Sequence, residues 1–282
     1  MNWRKLLPSW LAQHGLAEPA PIPGPLWQST VAARHFLQLP GEDDQRLQSL
    51  VAHFLQHKEF SGADGLEVTD AMAVDVAAQA CILLLHWGEP RKAMQWFDDF
   101  VGIVIYPGNV RVRRQSMDEA GVMHFRDEVI MGEAMEGGPV VLSWSAIKPH
   151  ESDGASHAHN HGLGAASNVV IHEFALKIDM RNGSADGCPP LPPGFMGTTS
   201  ARAAQELWNK AWSAAFERFE DQVTMAERFG AEPAWLDSYA AQDAAEFFAV
   251  ACEAFFVDRP RFAIEFPELA PHLSALFEPG LA

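Results

Sequence analysis

A helix-rich α+β domain is the architecture to expect of this chain of 282 residues. Apolar residues recur at helical spacing in several long segments, while a middle stretch from 102 to 144 carries short runs suited to strands. The composition can close a core around both: 48% hydrophobic residues, with 18 Phe and 9 Trp, offer enough apolar surface to offset the entropy of ordering the chain.

Residues 1–28 are read as an extended arm, because prolines at 19, 21, 23 and 25 are too dense for a helix interior or a central strand. The remainder, 29–282, is expected to form one domain, without internal repeats or a convincing linker. From Asp44 onward, Leu47, Leu50, Val51, Phe54 and Leu55 draw the stripe of an amphipathic helix. A second helix is expected from the cap candidate Thr69 to Gly88, apolar nearly all round and therefore buried. Strands follow at GIVIYP (102–107), NVRVRRQ (109–115), around HFRDEVIMG (124–132) and at GPVVLSW (138–144), forming a small mixed or antiparallel sheet. The Gly-, Ser-, Ala- and His-rich stretch 150–166 reads as a surface loop. A helix capped by Ser167 or Asn168 then runs through VVIHEFALKIDMRN to Gly183. Residues 201–229 set Ala204, Leu207, Trp208, Ala211, Trp212, Ala215, Phe216 and Phe219 on one helical face. Helices starting at Asp243 and spanning about 268–277 complete the reading.

Charge narrows the function. Twenty Lys and Arg against 37 Asp and Glu leave a formal net charge of −17, a field that repels phosphate backbones and anionic head groups, so neither nucleic acid nor a membrane surface is the expected partner. Cys81, Cys188 and Cys252 are odd in number and contain no CxxC pair, which fits a reducing cytoplasm better than a disulfide framework. Pro8, Ser9, Gln13 and His14 interrupt any signal-like apolar run, and the stretch 76–87, broken by Gln79 and His86, is too short to span a bilayer.

The dipeptide His172-Glu173 lies inside an otherwise apolar helix, and a buried carboxylate requires a partner. In the HExxH pattern of zinc peptidases two histidines four apart share a helix face and hold one ion, with the glutamate between as general base. Here the second histidine position is Leu176. On this local pattern alone a structural carboxylate is the better reading. Asp243 and Glu246 likewise have the spacing of a helix cap, and Tyr239 and Glu253 have packing and surface readings of their own.

The wider text is more specific. EFSGADGLEVTDAMAVDVAAQACILLL (59–85), IVIYP (103–107), VVIHEFALKIDMRNG (169–183) and DSYAAQDAAEFFAVACEAFF (237–256) occur in the order of the MtfA family, and the resemblance extends from about residue 30 to 277. The chain resembles these Mlc titration factor A-like, zinc-dependent bacterial peptidases. The resemblance implies a helix-rich zincin fold similar to the catalytic domain of anthrax lethal factor, a Zn2+ cofactor, a peptide or protein substrate cleaved in an aminopeptidase-like manner, and a transcriptional repressor as a possible protein partner. It matches His172 to a zinc histidine, Glu173 to the general base, Glu246 to the downstream zinc glutamate, Glu253 to an acid behind the ligands, and Tyr239 to a tyrosine near the reacting carbonyl.

One position departs from the pattern. The family reads HEFAH, and Leu176 has no lone pair to offer, so His172 and Glu246 alone leave a catalytic zinc site one ligand short. Asp179 lies too far along the helix to replace it, and Lys177 is cationic at neutral pH. His157, His159 and His161 could reach back from their loop, although a solvated loop is the plainer reading. GPVVLSW, just before that loop, is expected either as an edge strand along which a peptide could add or as an interior strand. The alternative function is a non-catalytic binding protein that sequesters a partner.

Overall fold

The computed structural model describes residues 19–117, 123–148 and 167–279. Ten α-helices occur among them: α1 Gly24–Ala32, α2 Gly41–His57, α3 Asp70–Cys81, α4 Pro90–Ala93, α5 Trp144–Ile147, α6 Val169–Asp179, α7 Ala201–Phe229, α8 Ala244–Val257, α9 Arg259–Glu265 and α10 Ala270–Phe277. The strands are β1 Glu59–Gly62, β2 Gly102–Tyr106, β3 Val110–Met117, β4 Met123–Ile130, β5 Gly132–Ala134 and β6 Val140–Ser143. This is the helix-rich α+β class that the periodicity predicts.

The helices α3, α6, α7 and α8 begin where a side chain satisfies one of the first free N–H groups. Thr69 accepts from Met72 at α3, Asn168 from Ile171 at α6, Ser200 from Ala203 at α7, and Asp243 from Glu246 at α8. At the other end of α7, Gly230 takes the left-handed conformation that closes the last turn. The N-terminal arm differs from expectation over its last residues. Pro25 stands in the first turn of α1, where a missing N–H costs nothing, and Trp27 is buried with its indole N–H on Asp44 at 2.9 Å. Residues 1–18 lie outside the described part.

The sheet has the order β1-β2-β6-β5. β1 pairs with β2 and β2 with β6 in parallel, and β5 runs antiparallel to β6. Ile103 and Ile105 on β2 and Val140 and Leu142 on β6 are buried, as alternation requires of strands covered by helices. β1 escaped the sequence reading because its four residues, EFSG, carry little strand signal. Of the two readings of GPVVLSW the interior strand holds: its residues Val140–Ser143 form β6, and Gly132–Ala134 occupies the edge beside it. β3 and β4 form a separate antiparallel ribbon paired from Val110–Ile130 to Met117–Met123.

The buried apolar residues form one cluster in which α6 is central. Phe174 sits 5.1 Å from Phe97, 5.6 Å from Phe54 and 5.9 Å from Phe100, ring centre to ring centre. Behind α8, Trp208 stacks on Trp212 at 4.6 Å, and Phe248 meets both rings edge-on. Together these aromatic groups hold α6 and α8 side by side. Among the described residues no helix is long and apolar enough to cross a membrane.

Candidate metal centre

His172 and Glu173 project from the second turn of α6, Glu246 from the first turn of α8, and Glu253 from two turns further along α8. Helical periodicity brings positions seven apart back to nearly one face, so Glu246 and Glu253 both reach His172. Glu253 Oε1 lies 2.8 Å from His172 Nδ1, and Glu246 Oε2 lies 2.9 Å from Nε2. The second contact is close but poorly aligned: Glu246 Oε2 is buried and makes no hydrogen bond. A buried carboxylate oxygen left without a hydrogen bond beside a ring nitrogen is a pair that a shared cation would satisfy.

Glu246 therefore does two things: its backbone N–H is taken by the cap Asp243 at 2.9 Å, and its side chain turns to His172. Tyr239, on the short turn before α8, donates its hydroxyl to Glu246 Oε1 at 3.3 Å, and its ring lies 6.1 Å from the imidazole. Glu253 also accepts the backbone N–H of Asn168, which joins the start of α6 to α8.

Glu173 is buried beneath the edge strand, with Oε2 unpaired. Burial pushes its carboxyl up to about 8, against the pull of His172 and a backbone hydrogen bond from Ala134. Gly132 on β5 makes room for it, since a Cβ there would stand 2.4 Å from Glu173 Oε1. For His172, burial favours the neutral ring, but the carboxylates of Glu246 and Glu253 outweigh it and hold the imidazole well above its ordinary value.

The alternative donors point elsewhere. Asp179 accepts from the backbone N–H of Gly187 at 2.8 Å. Lys177 is fully buried, with Nζ 2.7 Å from Asp99 and 2.8 Å from the carbonyl of Met135. His157, His159 and His161 lie outside the described residues. Leu176 belongs to the apolar core. Among the described residues no group of three or more His, Cys, Asp or Glu side chains is arranged to hold a metal ion. The donor set thus meets two of the three protein ligands that a catalytic zinc site takes, and falls short of one.

An open cleft of about 500 Å³ adjoins Tyr239, lined by Glu220, Glu227, Asp237, Ser238 and Gln242 among others. Its acidic character was hidden in the sequence, because the side chains come from α7 and from the turn before α8.

Residues 8–278 match the model of a family described as glucose-regulated metallo-peptidase M90. The chain belongs to this metallopeptidase family. It is 32% identical over 263 residues to Mlc titration factor A of Cronobacter sakazakii, covering 92% of this chain and 86% of that protein. The protein of the same name from Salmonella arizonae is 31% identical over 245 residues, 86% of each chain. That of Serratia proteamaculans is 32% identical over 253 residues, 89% of this chain and 86% of its own. The M90 family implies a metal cofactor, which makes leucine at 176 the feature of this member that needs explanation.

The sequence reading missed Arg34, Asp75 and Gln79, which lead by hydrogen bonds to Asn168 at the start of α6. The available signal was two polar residues, Asp75 and Gln79, in a helix apolar nearly all round.

Proposed function

We propose that this M90 member retains the peptide-binding cleft of a zinc-dependent, aminopeptidase-like peptidase and that leucine at 176 strongly impairs its peptide-bond hydrolysis. The observation that carries this reading is the convergence of Glu246 and Tyr239 on His172, with buried Glu173 next to it, on a helix whose next turn presents leucine instead of a lone pair. In this reading His172 and Glu246 are the two remaining zinc ligands, and Glu253 orients His172. Glu173 is the general base, Tyr239 faces the carbonyl of the scissile bond, and an extended peptide lies along β5. The acidic cleft beside Tyr239 supports a positively charged substrate end, such as a free α-amino group. The three free, buried cysteines support a reducing, cytoplasmic setting.

Zinc stoichiometry of the purified protein, measured beside Leu176→His, tests the proposal. Zinc near one per chain only in the Leu176→His protein, together with chelator-sensitive hydrolysis there alone, is the expected result. Equivalent zinc and equal hydrolysis in both proteins would overturn it. Leucine at 176 also favours a second reading, a binding protein that sequesters a partner without cleaving it. The relatives' name, Mlc titration factor A, points to a transcriptional repressor as that partner.

A further inference from the structure

A continuous line of buried polar groups leads from the N-terminal part of the chain to the candidate site, and its direction is dictated at both ends. Arg34 Nε and Nη2 donate to Asp75 at 2.9 and 2.8 Å, and the same Nη2 donates to the carbonyl of Ile147 at 2.6 Å. The Asp75 carboxylate can only accept, so the Gln79 amide must turn its NH2 towards it, and it does so at 3.1 Å. Gln79 Oε1 then faces Asn168 and accepts from Nδ2 at 2.8 Å. That leaves Asn168 Oδ1 for the backbone N–H of Ile171, at 3.0 Å, a group that can only donate. With a carboxylate at one end and a backbone N–H at the other, one set of amide orientations satisfies every bond.

Asn168 is the point where this line meets the site. Its side chain caps α6, four residues before His172, and its backbone N–H donates to Glu253 Oε2. The other oxygen of Glu253 takes His172 Nδ1 at 2.8 Å. A cap pointing the wrong way would release the first turn of α6, withdraw one of the two donors that hold Glu253, and free the imidazole to turn. Gln79 and Asn168 are both buried, so neither has water as a ready substitute.

We propose that Gln79, oriented by Asp75 and Arg34, is a positioning residue of the site, acting through Asn168 and Glu253 to aim His172 Nε2 at Glu246. This rests on the reading of His172 as a ligand only for its consequence, not for its geometry. Two readouts on the full chain test it. In the metal-free protein, nuclear magnetic resonance follows the His172 Nδ1–H proton. Gln79→Met should shift it upfield and remove its protection from exchange, and Asp75→Asn, a milder change of nearly equal shape, should do so in part. In a Leu176→His background, adding Gln79→Met should weaken zinc binding about 10- to 100-fold, the usual loss for removing support behind a ligand. A purely structural Gln79 would lower the melting temperature and leave the Nδ1–H resonance unchanged, which overturns the proposal. If Leu176→His takes up no zinc, the ligand reading fails by itself, and the resonance alone decides the role of Gln79.

Discussion

Asp179 shows how one buried side chain can set a pH dependence for the whole fold. It is fully buried, and burial pushes its carboxyl up from 3.8 to about 7, although backbone N–H groups of residues 186–188 pull the other way. The folded chain therefore holds this proton more tightly than the unfolded one. The contribution is present in full below pH 4, declines as the pH rises from about 4 to 7, and is gone above that range. A shift of this size corresponds to roughly 4 kcal/mol at most. Asp179→Asn should flatten the fall in stability between pH 4 and 7, as read from urea unfolding at each pH. An unchanged slope would place the pH dependence elsewhere. The sequence displayed Asp179 on the helix of His172 but not its turn towards Gly187, because that contact depends on how residues 183–188 fold back.

At the scale of elements, two junctions fix the site. Gly187 adopts φ +81°, and a Cβ there would lie 2.5 Å from the carbonyl of Ala244, so the loop after α6 packs directly on the first turn of α8. Trp208 of α7 donates to the carbonyl of the same glycine at 2.8 Å. These contacts set the spacing between His172 and Glu246. The second junction is Lys177, which ties α6 to Asp99 and to the carbonyls of Met135 and Gly138 at the turn between β5 and β6. Lys177→Met should destabilise the protein by about 3 kcal/mol, since it strips a buried ion pair of one partner. The cost stays at the low end because Arg181 remains 3.6 Å from Asp99. Urea unfolding gives the size of the loss. Faster amide exchange across Gly132–Ala134 would show that it falls on the edge strand above Glu173. Most helices here were legible from periodicity and caps. β1 and the edge strand β5 were not, because segments of four and three residues acquire their identity from the strands they pair with.

For the molecule as a whole, the buried apolar residues form one contiguous core, from which a fold that stands without metal is the expected outcome. Chelator should leave the melting temperature of the wild-type protein unchanged. Leu176→His with zinc at about 100 times its Kd should gain roughly 2.7 kcal/mol, removable by the same chelator. A chelator-induced fall in the wild type would mean that a ligand other than position 176 completes the site.

Legible in the sequence alone were the helix-rich α+β class, the helix starts at Thr69, at Ser167 or Asn168 and at Asp243, and the family resemblance with its departure at Leu176. All of these depend on local spacing or on residue identity along the chain. Tertiary structure decided what converges: Glu246 and Glu253 on the two nitrogens of His172, Gly132 over Glu173, and the line from Arg34 through Gln79 to Asn168. Those contacts join residues up to 89 positions apart. Their geometry is set by the packing of α3, α6 and α8, and periodicity within any one helix carries no information about it.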